Sequence, residues 1–162
     1  MRTLLVMRHA KSSWANAHQP DHDRPLNDRG RRDAPRMGRL LAERGLAPDA
    51  VLCSSATRAH DTAQFVADEL VADAPVVRSS LYGGDVEDYL AVLQRLDDGV
   101  RTALVVGHNP TVSLLVAELA EVDEALPTAA IAWLELPIDR WTDLDGDVDG
   151  VLRGVWRPRE VG

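Results

Sequence analysis

Short apolar runs alternate with stretches of helical periodicity along the chain, and this alternation constrains the fold more than any other feature of the sequence. It is typical of β-α-β units, in which helices connect parallel strands. The predicted strands cover residues 3–7, 50–53, 76–77, 102–106, 131–136 and 151–156. The sequence therefore predicts an α/β protein with a mostly parallel sheet.

The first helix is predicted to follow the first strand, with Asn27 or Asp28 as its N-cap and Gly45 as its stop. Pro35 interrupts the apolar pattern of this helix, and a proline lacks the N–H that a helix interior needs. We therefore expect either a kink at Pro35 or a helix that starts there.

Three further helices are predicted after the second, third and fourth strands. Ser54 or Ser55 is the expected N-cap of the first of them, and the next covers residues 86–96. The last is predicted to begin with Asn109 as its cap and Pro110 as its first helical residue.

Length and charge limit the classes of protein that remain. A chain of 162 residues fits one compact domain, so residues 1–162 are interpreted as a single domain. Its 26 acidic and 18 basic residues give a net charge of −8, which disfavours nucleic acid and anionic lipid as partners. The longest apolar run, residues 129–134, is far shorter than the ~18 residues of a membrane span. With one cysteine and no apolar run of signal-peptide length near its start, the chain is predicted to be cytoplasmic.

Three polar segments each follow directly on a predicted strand: residues 8–9, residues 54–58 and residues 107–110. The carboxyl ends of parallel strands share one edge of a sheet, where α/β proteins bind their ligands. We therefore expect these segments to meet, although they are far apart in the sequence.

The residues that would meet there predict a phosphate site: Arg8, His9, Arg58 and His108. Guanidinium groups bind phosphate through paired hydrogen bonds, and helix N-termini favour anions. A neutral imidazole can attack phosphorus, so His9 is the candidate nucleophile and His108 a candidate donor to the phosphoryl oxygens. Lys11 and Ser12 are further candidates for binding the phosphate. The glycine-rich nucleotide-binding loops are absent from the sequence.

Four segments, in this order and spacing, resemble the histidine phosphatase (phosphoglycerate-mutase-like) superfamily: residues 8–9, 25–30, 54–63 and 107–110. Within that superfamily the chain is similar to the phosphohistidine phosphatases of the SixA type. The resemblance implies a three-layer α/β sandwich with a mostly parallel central sheet, and a reaction without metal or cofactor. It also implies that His9 becomes phosphorylated, and that the phosphoryl group is held by Arg8, Arg58 and His108.

The chain departs from the superfamily pattern at two places. Ala10 stands where most members have glycine, and no clear equivalent exists of the acidic residue that protonates the leaving oxygen in many members. Asp85 and Glu87 are the nearest candidates for that proton donor. An imidazole leaving group accepts a proton near neutral pH and needs less help than an alkoxide. The weak or missing proton donor therefore favours phosphoramidate substrates over phosphate esters.

We accordingly predict a phosphatase that acts on phosphohistidine in proteins. Two alternatives stay open: a phosphatase or mutase for a small phosphate ester, and a non-catalytic domain that binds phosphoproteins. His18, Asp21, His22 and Asp23 resemble a metal cluster, but Pro20 interrupts any helix, so residues 18–23 are interpreted as a solvated loop without metal. The arginines of the first helix are interpreted as its exposed side, with docking of an acidic phosphoprotein as a minority alternative.

Overall fold

A computed structural model of the chain describes residues 1–161. It contains the six predicted strands: β1 (Arg2–Arg8), β2 (Ala50–Cys53), β3 (Val76–Val77), β4 (Thr102–Gly107), β5 (Ile131–Leu136) and β6 (Val151–Trp156). Its helices are α1 (Asp28–Glu43), α2 (Thr57–Leu70), α3 (Val86–Gln94) and α4 (Thr111–Ala120). No helix within the described residues is long and apolar enough to cross a bilayer.

The strands form one sheet in the order β3-β2-β4-β1-β5-β6. β3, β2, β4 and β1 are parallel, while β5 pairs antiparallel with β1 and β6 antiparallel with β5. The carboxyl ends of β1 and β4 are direct neighbours, since Arg8 pairs with Gly107. The end of β2 lies beside them, since Cys53 pairs with Val106. The three polar segments therefore leave the sheet at one edge.

Helices cover both faces of the sheet. Leu5 and Met7 of β1 belong to a buried cluster shared with α1 and α2, whereas Leu4 and Val6 belong to a second cluster shared with α3 and α4. This separation follows from the two-residue period of a strand, which sends successive side chains to opposite faces. All four side chains are fully buried. The predicted three-layer α/β sandwich with a mostly parallel central sheet is thus confirmed.

α1 begins at Asp28, and the side chain of Asn27 accepts the backbone N–H of Gly30 at 2.9 Å. The helix continues through Pro35, so the alternative in which it starts at Pro35 is wrong. Burial of side chains on both sides of the proline, including Met37, offsets the hydrogen bond that its missing N–H cannot make.

The starts of α2 and α4 differ from the prediction. Ala56, not Ser54 or Ser55, is the N-cap of α2, and it provides no side-chain hydrogen bond. Pro110 is the N-cap of α4, so this helix begins one residue later than predicted. The side chain of Asn109 instead donates to the carbonyl of Leu126 at 2.8 Å. In both places the expected capping side chain is used in a tertiary contact.

Gly107, the last residue of β4, packs against the ring of Tyr89. A Cβ at this position would overlap the Tyr89 hydroxyl and lie 2.8 Å from two ring carbons. We expect Gly107→Ala to lower the free energy of unfolding by about 1–3 kcal/mol, the usual cost of overpacking. Urea denaturation of Gly154→Ala gives the control, because a Cβ at Gly154 has its nearest contact at 3.9 Å. Equal stability of the two variants would contradict this packing.

Candidate active site

A cavity of about 480 Å³ opens at the carboxyl edge of the parallel strands. The structure brings together six of the predicted site residues in its lining: Arg8, His9, Lys11, Ser12, Arg58 and His108. Arg8 and His9 come from the end of β1, Arg58 from the first turn of α2, and His108 from the residue after β4. The sheet topology therefore assembles the cavity from three separate segments.

His9 is oriented by its own loop. It is 8% exposed, and its Nδ1 lies 2.7 Å from the carbonyl oxygen of Ala10. A carbonyl oxygen can only accept, so Nδ1 carries the proton and Nε2 keeps its lone pair. Burial lowers the pKa of His9 to about 3, and the nearby charges of Arg58 and Arg8 act in the same direction. His9 is therefore neutral at physiological pH, with a basic nitrogen free.

The loop that carries His9 is tied to α2. The backbone N–H of Ala10 donates to Thr62 Oγ1 at 3.0 Å, and that hydroxyl donates to the carbonyl of Arg58 at 2.7 Å. Ala10 itself is fully buried and supplies its N–H to this relay as well as its carbonyl to His9. These contacts use the backbone N–H and carbonyl of Ala10, groups that a glycine at this position would also supply.

The two arginines carry buried donors that need an acceptor. Nε of Arg8 and Nε of Arg58 are both buried without a hydrogen-bond partner among residues 1–161. Burial also lowers the pKa of Arg8 from its usual value. A buried donor left unpaired costs about 1–3 kcal/mol, so a bound oxyanion would stabilise the arrangement. The chemistry of the cavity favours phosphate or a similar anion.

Ser54 fixes the proton of His108. The Ser54 hydroxyl is fully buried, accepts the backbone N–H of Ala56 at 3.2 Å, and lies 2.8 Å from His108 Nε2. Within the described residues, Nε2 is the acceptor in reach of the Ser54 hydrogen, so Ser54 donates to it and the ring proton lies on Nδ1. Burial, with Arg58 next in importance, lowers the pKa of His108 to about 4. This ring is a neutral donor whose centroid lies 5.2 Å from that of His9.

Ser54→Ala is expected to remove the preference of the His108 ring proton for Nδ1. Nitrogen-15 NMR of the wild type should show His108 with its proton on Nδ1, and the variant should show a mixture of both neutral forms. Loss of one hydrogen bond of about 1 kcal/mol predicts a roughly fivefold lower turnover. Ser55→Ala is the control, because Ser55 contacts His22 and not His108. A wild-type His108 protonated on Nε2 would contradict the assignment.

The two neutral histidines make folding sensitive to acid. In the unfolded chain a histidine has a pKa near 6.5, whereas the pKa values of folded His9 and His108 are about 3 and about 4. Between pH 7 and pH 4 the unfolded state binds more protons, so the free energy of unfolding falls as the pH is lowered. Urea titrations at pH 7, 6 and 5 should show this slope, and a shallower one in His9→Gln. Equal dependence of the free energy of unfolding on pH in the wild type and His9→Gln would contradict the low pKa of His9.

The cavity also contains residues that the sequence did not predict: Trp14, Asp21, Arg24, Tyr82, Gly83, Asn109 and Thr128. The interpretation of residues 18–23 as a solvated loop is wrong for Asp21, because its side chain lines the cavity. Residues Asp21–Asp23 form a short 3-10 turn that packs on α2. The one available signal was the position of this segment between two motifs of the superfamily. No group of three His, Cys, Asp or Glu side chains in residues 1–161 is placed to hold a metal ion.

Asp85 and Glu87 are not brought to the cavity. Asp85 is the N-cap of α3, where its side chain accepts the N–H of Asp88 at 3.0 Å and its own N–H donates to Asp88 at 3.0 Å. Glu87 is exposed in the first turn of the same helix. Neither residue lines the cavity, so their use as proton donor stays a prediction without geometric support.

The fold and its cavity place the chain among the phosphoglycerate-mutase-like α/β proteins. Residues 4–81 match the sequence model of the histidine phosphatase superfamily, branch 1. The chain is 39% identical over 151 residues to an uncharacterized protein of Mycobacterium tuberculosis, with 86% of this chain and 92% of that protein covered. It is 34% identical over 138 residues to phosphohistidine phosphatase SixA of Escherichia coli, with 82% and 84% covered.

A solved structure extends this likeness to three dimensions. The protein histidine phosphatase SixA complexed with tungstate superposes with a TM-score of 0.84 at 30% identity, over 99% of each chain. The chain therefore belongs to the histidine phosphatase superfamily, as its four motifs predict. Within that superfamily it resembles the phosphatase SixA.

Proposed function

We propose that this protein hydrolyses phosphohistidine in other proteins through a phosphorylated His9. The observation that carries the proposal is the free Nε2 of His9, held beside two arginines whose buried Nε groups have no partner in the described chain. The likeness to SixA supports the choice of substrate, since that relative is named a phosphohistidine phosphatase. The tungstate in the solved SixA structure is a tetrahedral oxyanion, which supports an oxyanion site.

In the first step His9 attacks the phosphoryl group. The Nε2 lone pair forms a bond to phosphorus while the bond to the substrate nitrogen breaks, with the two nitrogens in line. Arg8 and Arg58 hold the phosphoryl oxygens through their free N–H groups, and Nδ1–H of His108 donates to a third oxygen. As Nε2 loses its lone pair, the Ala10 carbonyl stabilises the positive charge that develops on the ring of His9.

In the second step water takes the place of the leaving group. It attacks phosphorus in line with Nε2, and the bond to His9 breaks with its electron pair returning to the ring. The same donors hold the oxygens in both steps, so no rearrangement of the cavity is needed. Phosphate leaves with both protons of the water, and His9 is again neutral with its proton on Nδ1.

The shape of the opening supports a protein substrate. Trp14 is 71% exposed at the rim and Tyr82 is 36% exposed. The ring of Trp14 is stacked by the guanidinium of Arg24, whose Cζ lies 3.6 Å from the ring centroid. Exposed aromatic side chains are enriched where proteins bind one another. A histidine side chain on a folded partner could reach His9 through this opening.

The proposal is tested by trapping the intermediate. The protein is mixed with a phosphohistidine-containing protein labelled on phosphorus, quenched within milliseconds to seconds, and digested to locate acid-labile label. We expect label on His9 and release of inorganic phosphate. Turnover of 4-nitrophenyl phosphate with none of the phosphoprotein would favour a small-ester phosphatase. Binding of the phosphoprotein without label or phosphate release would favour a non-catalytic binding domain.

A further inference from the structure

Among the described residues that line the cavity, Asp21 is the one with a carboxylate side chain. Its Oδ2 accepts from the Tyr82 hydroxyl at 2.8 Å and from Arg58 NH2 at 3.0 Å. Its Oδ1 accepts from Arg24 Nε at 3.1 Å. The backbone carbonyl of Asp21 also accepts from Arg58 NH1 at 2.8 Å. The carboxylate is therefore fixed in place by three side chains.

These donors keep Asp21 ionised. The hydrogen bond from Tyr82, with further ones from Arg24 and Arg58, lowers the pKa of Asp21 to about 2 although burial opposes the shift. Asp21 is thus an anion at every pH at which the protein would be assayed, and it has no proton to give to a leaving group. A carboxylate has about four acceptor sites and three are used, so one remains. The side chain is half exposed, so that site can be reached.

Asp21 lies on the solvent-exposed side of the cavity, since half of its side chain is exposed whereas His9 is 8% exposed. His9 is buried below the phosphoryl site, so in-line attack from Nε2 directs the departing atom away from His9 and toward the opening. Tyr82 stands at this opening, with its ring centroid 5.7 Å from that of His108 and its hydroxyl on Asp21. The carboxylate therefore lies on the side of the cavity toward which the leaving group would depart.

We propose that Asp21 determines substrate specificity by accepting a hydrogen bond from the far ring nitrogen of the substrate phosphohistidine. This inference rests on the proposed function and names the residue that recognises the leaving group. The carboxylate favours the substrate ring with a proton on that nitrogen. When Nε2 of His9 bonds to phosphorus, the P–N bond breaks and its electron pair stays on the substrate nitrogen. The ring then leaves as neutral imidazole and keeps its proton.

The same carboxylate disfavours phosphate esters. The oxygen of an ester becomes negatively charged as its bond to phosphorus breaks, and a fixed anion near that oxygen raises the barrier. A neutral amide at the position of Asp21 would remove this repulsion. One residue therefore favours phosphoramidates and disfavours esters, which gives opposite effects on the two substrate classes.

The test compares two small substrates, N-phosphoimidazole and 4-nitrophenyl phosphate, in Asp21→Asn. We expect kcat/KM for phosphoimidazole to fall roughly tenfold to a hundredfold, as for loss of a charge-assisted hydrogen bond, and kcat/KM for the ester to rise or stay unchanged. Asp23→Asn is the matched control, because Asp23 lies in the same turn, contacts His22 and does not line the cavity. Its two rates should equal those of the wild type.

General damage to the site would lower both rates together, so an equal fall in Asp21→Asn would overturn the inference. An unchanged ratio of the two rates, or the same change in Asp23→Asn, would also overturn it. In these cases the proposed function still stands if the wild-type protein turns over phosphoimidazole and becomes phosphorylated on His9. Wild-type protein that leaves phosphoimidazole intact but becomes labelled on His9 by the phosphoprotein would overturn the inference alone, and failure with both substrates would overturn both.

Discussion

His9→Ala is expected to lower the turnover of phosphohistidine roughly ten-thousandfold or more and to abolish acid-labile labelling of the protein, as for loss of a covalent nucleophile. The reason is geometric, because Nε2 of His9 is the free nitrogen that its bond to the Ala10 carbonyl leaves available. The second ring, His108, has its Nε2 hydrogen-bonded to Ser54 and does not replace it. Quenched-flow measurement of phosphate release and of bound phosphoryl group gives both quantities.

His60→Ala is the control for this result, since His60 is a partly exposed histidine on α2 outside the cavity lining. It should keep wild-type turnover and the label on His9. Urea denaturation should show that His9→Ala remains folded. A folded His9→Ala protein that retains wild-type turnover would contradict the mechanism.

Arg58→Ala is expected to lower kcat by about 10²–10³-fold, the range for loss of a donor that stabilises transition-state charge. Its Nε is buried and unpartnered in the described structure, while both its terminal nitrogens bond to Asp21. Asp21 therefore fixes the guanidinium through its two terminal nitrogens, and we propose that Nε and a remaining terminal N–H make a bidentate contact to the phosphoryl oxygens. Arg58→Lys should restore little activity, because an ammonium group cannot make this bidentate contact.

Steady-state kinetics with phosphohistidine separates this effect into kcat and KM. Arg39→Ala is the matched control, because Arg39 is an exposed arginine that pairs with Glu69 away from the cavity. It should leave both constants unchanged. A purely electrostatic role for Arg58 would be indicated by full rescue in Arg58→Lys, and this result would contradict the bidentate contact.

The strands were predictable because their signal is local. β2, β3, β5 and β6 have the predicted limits, and β2 is the short, continuous apolar run expected of a buried parallel strand. The convergence of Arg8, Arg58 and His108 also followed from the sequence, because strand order does not alter which ends of parallel strands share an edge. The four sequence motifs indicated the histidine phosphatase superfamily.

The rest of the site depends on contacts between distant residues. Asp21 lies in a polar, proline-interrupted segment whose composition is that of a solvated loop, yet its partners Arg58 and Tyr82 are 37 and 61 residues away. Serine is a common helix cap and Ser54 stands where a cap is expected, but its hydroxyl bonds to His108, 54 residues away. A local sequence pattern does not show which residues so far apart in the chain are in contact, so the roles of Asp21 and Ser54 required the structure.

The relay from Ala10 through Thr62 to the carbonyl of Arg58 joins the attacking histidine to the arginine that faces it. A shift of either group is transmitted to the other through hydrogen bonds of 3.0 and 2.7 Å. The distance between His9 and Arg58 is therefore set where α2 packs on the sheet, whereas Trp14 lies at the exposed rim outside that junction. Laboratory evolution should therefore be able to change the rim around Trp14 for new partner proteins while the chemistry of His9 and Arg58 is left intact.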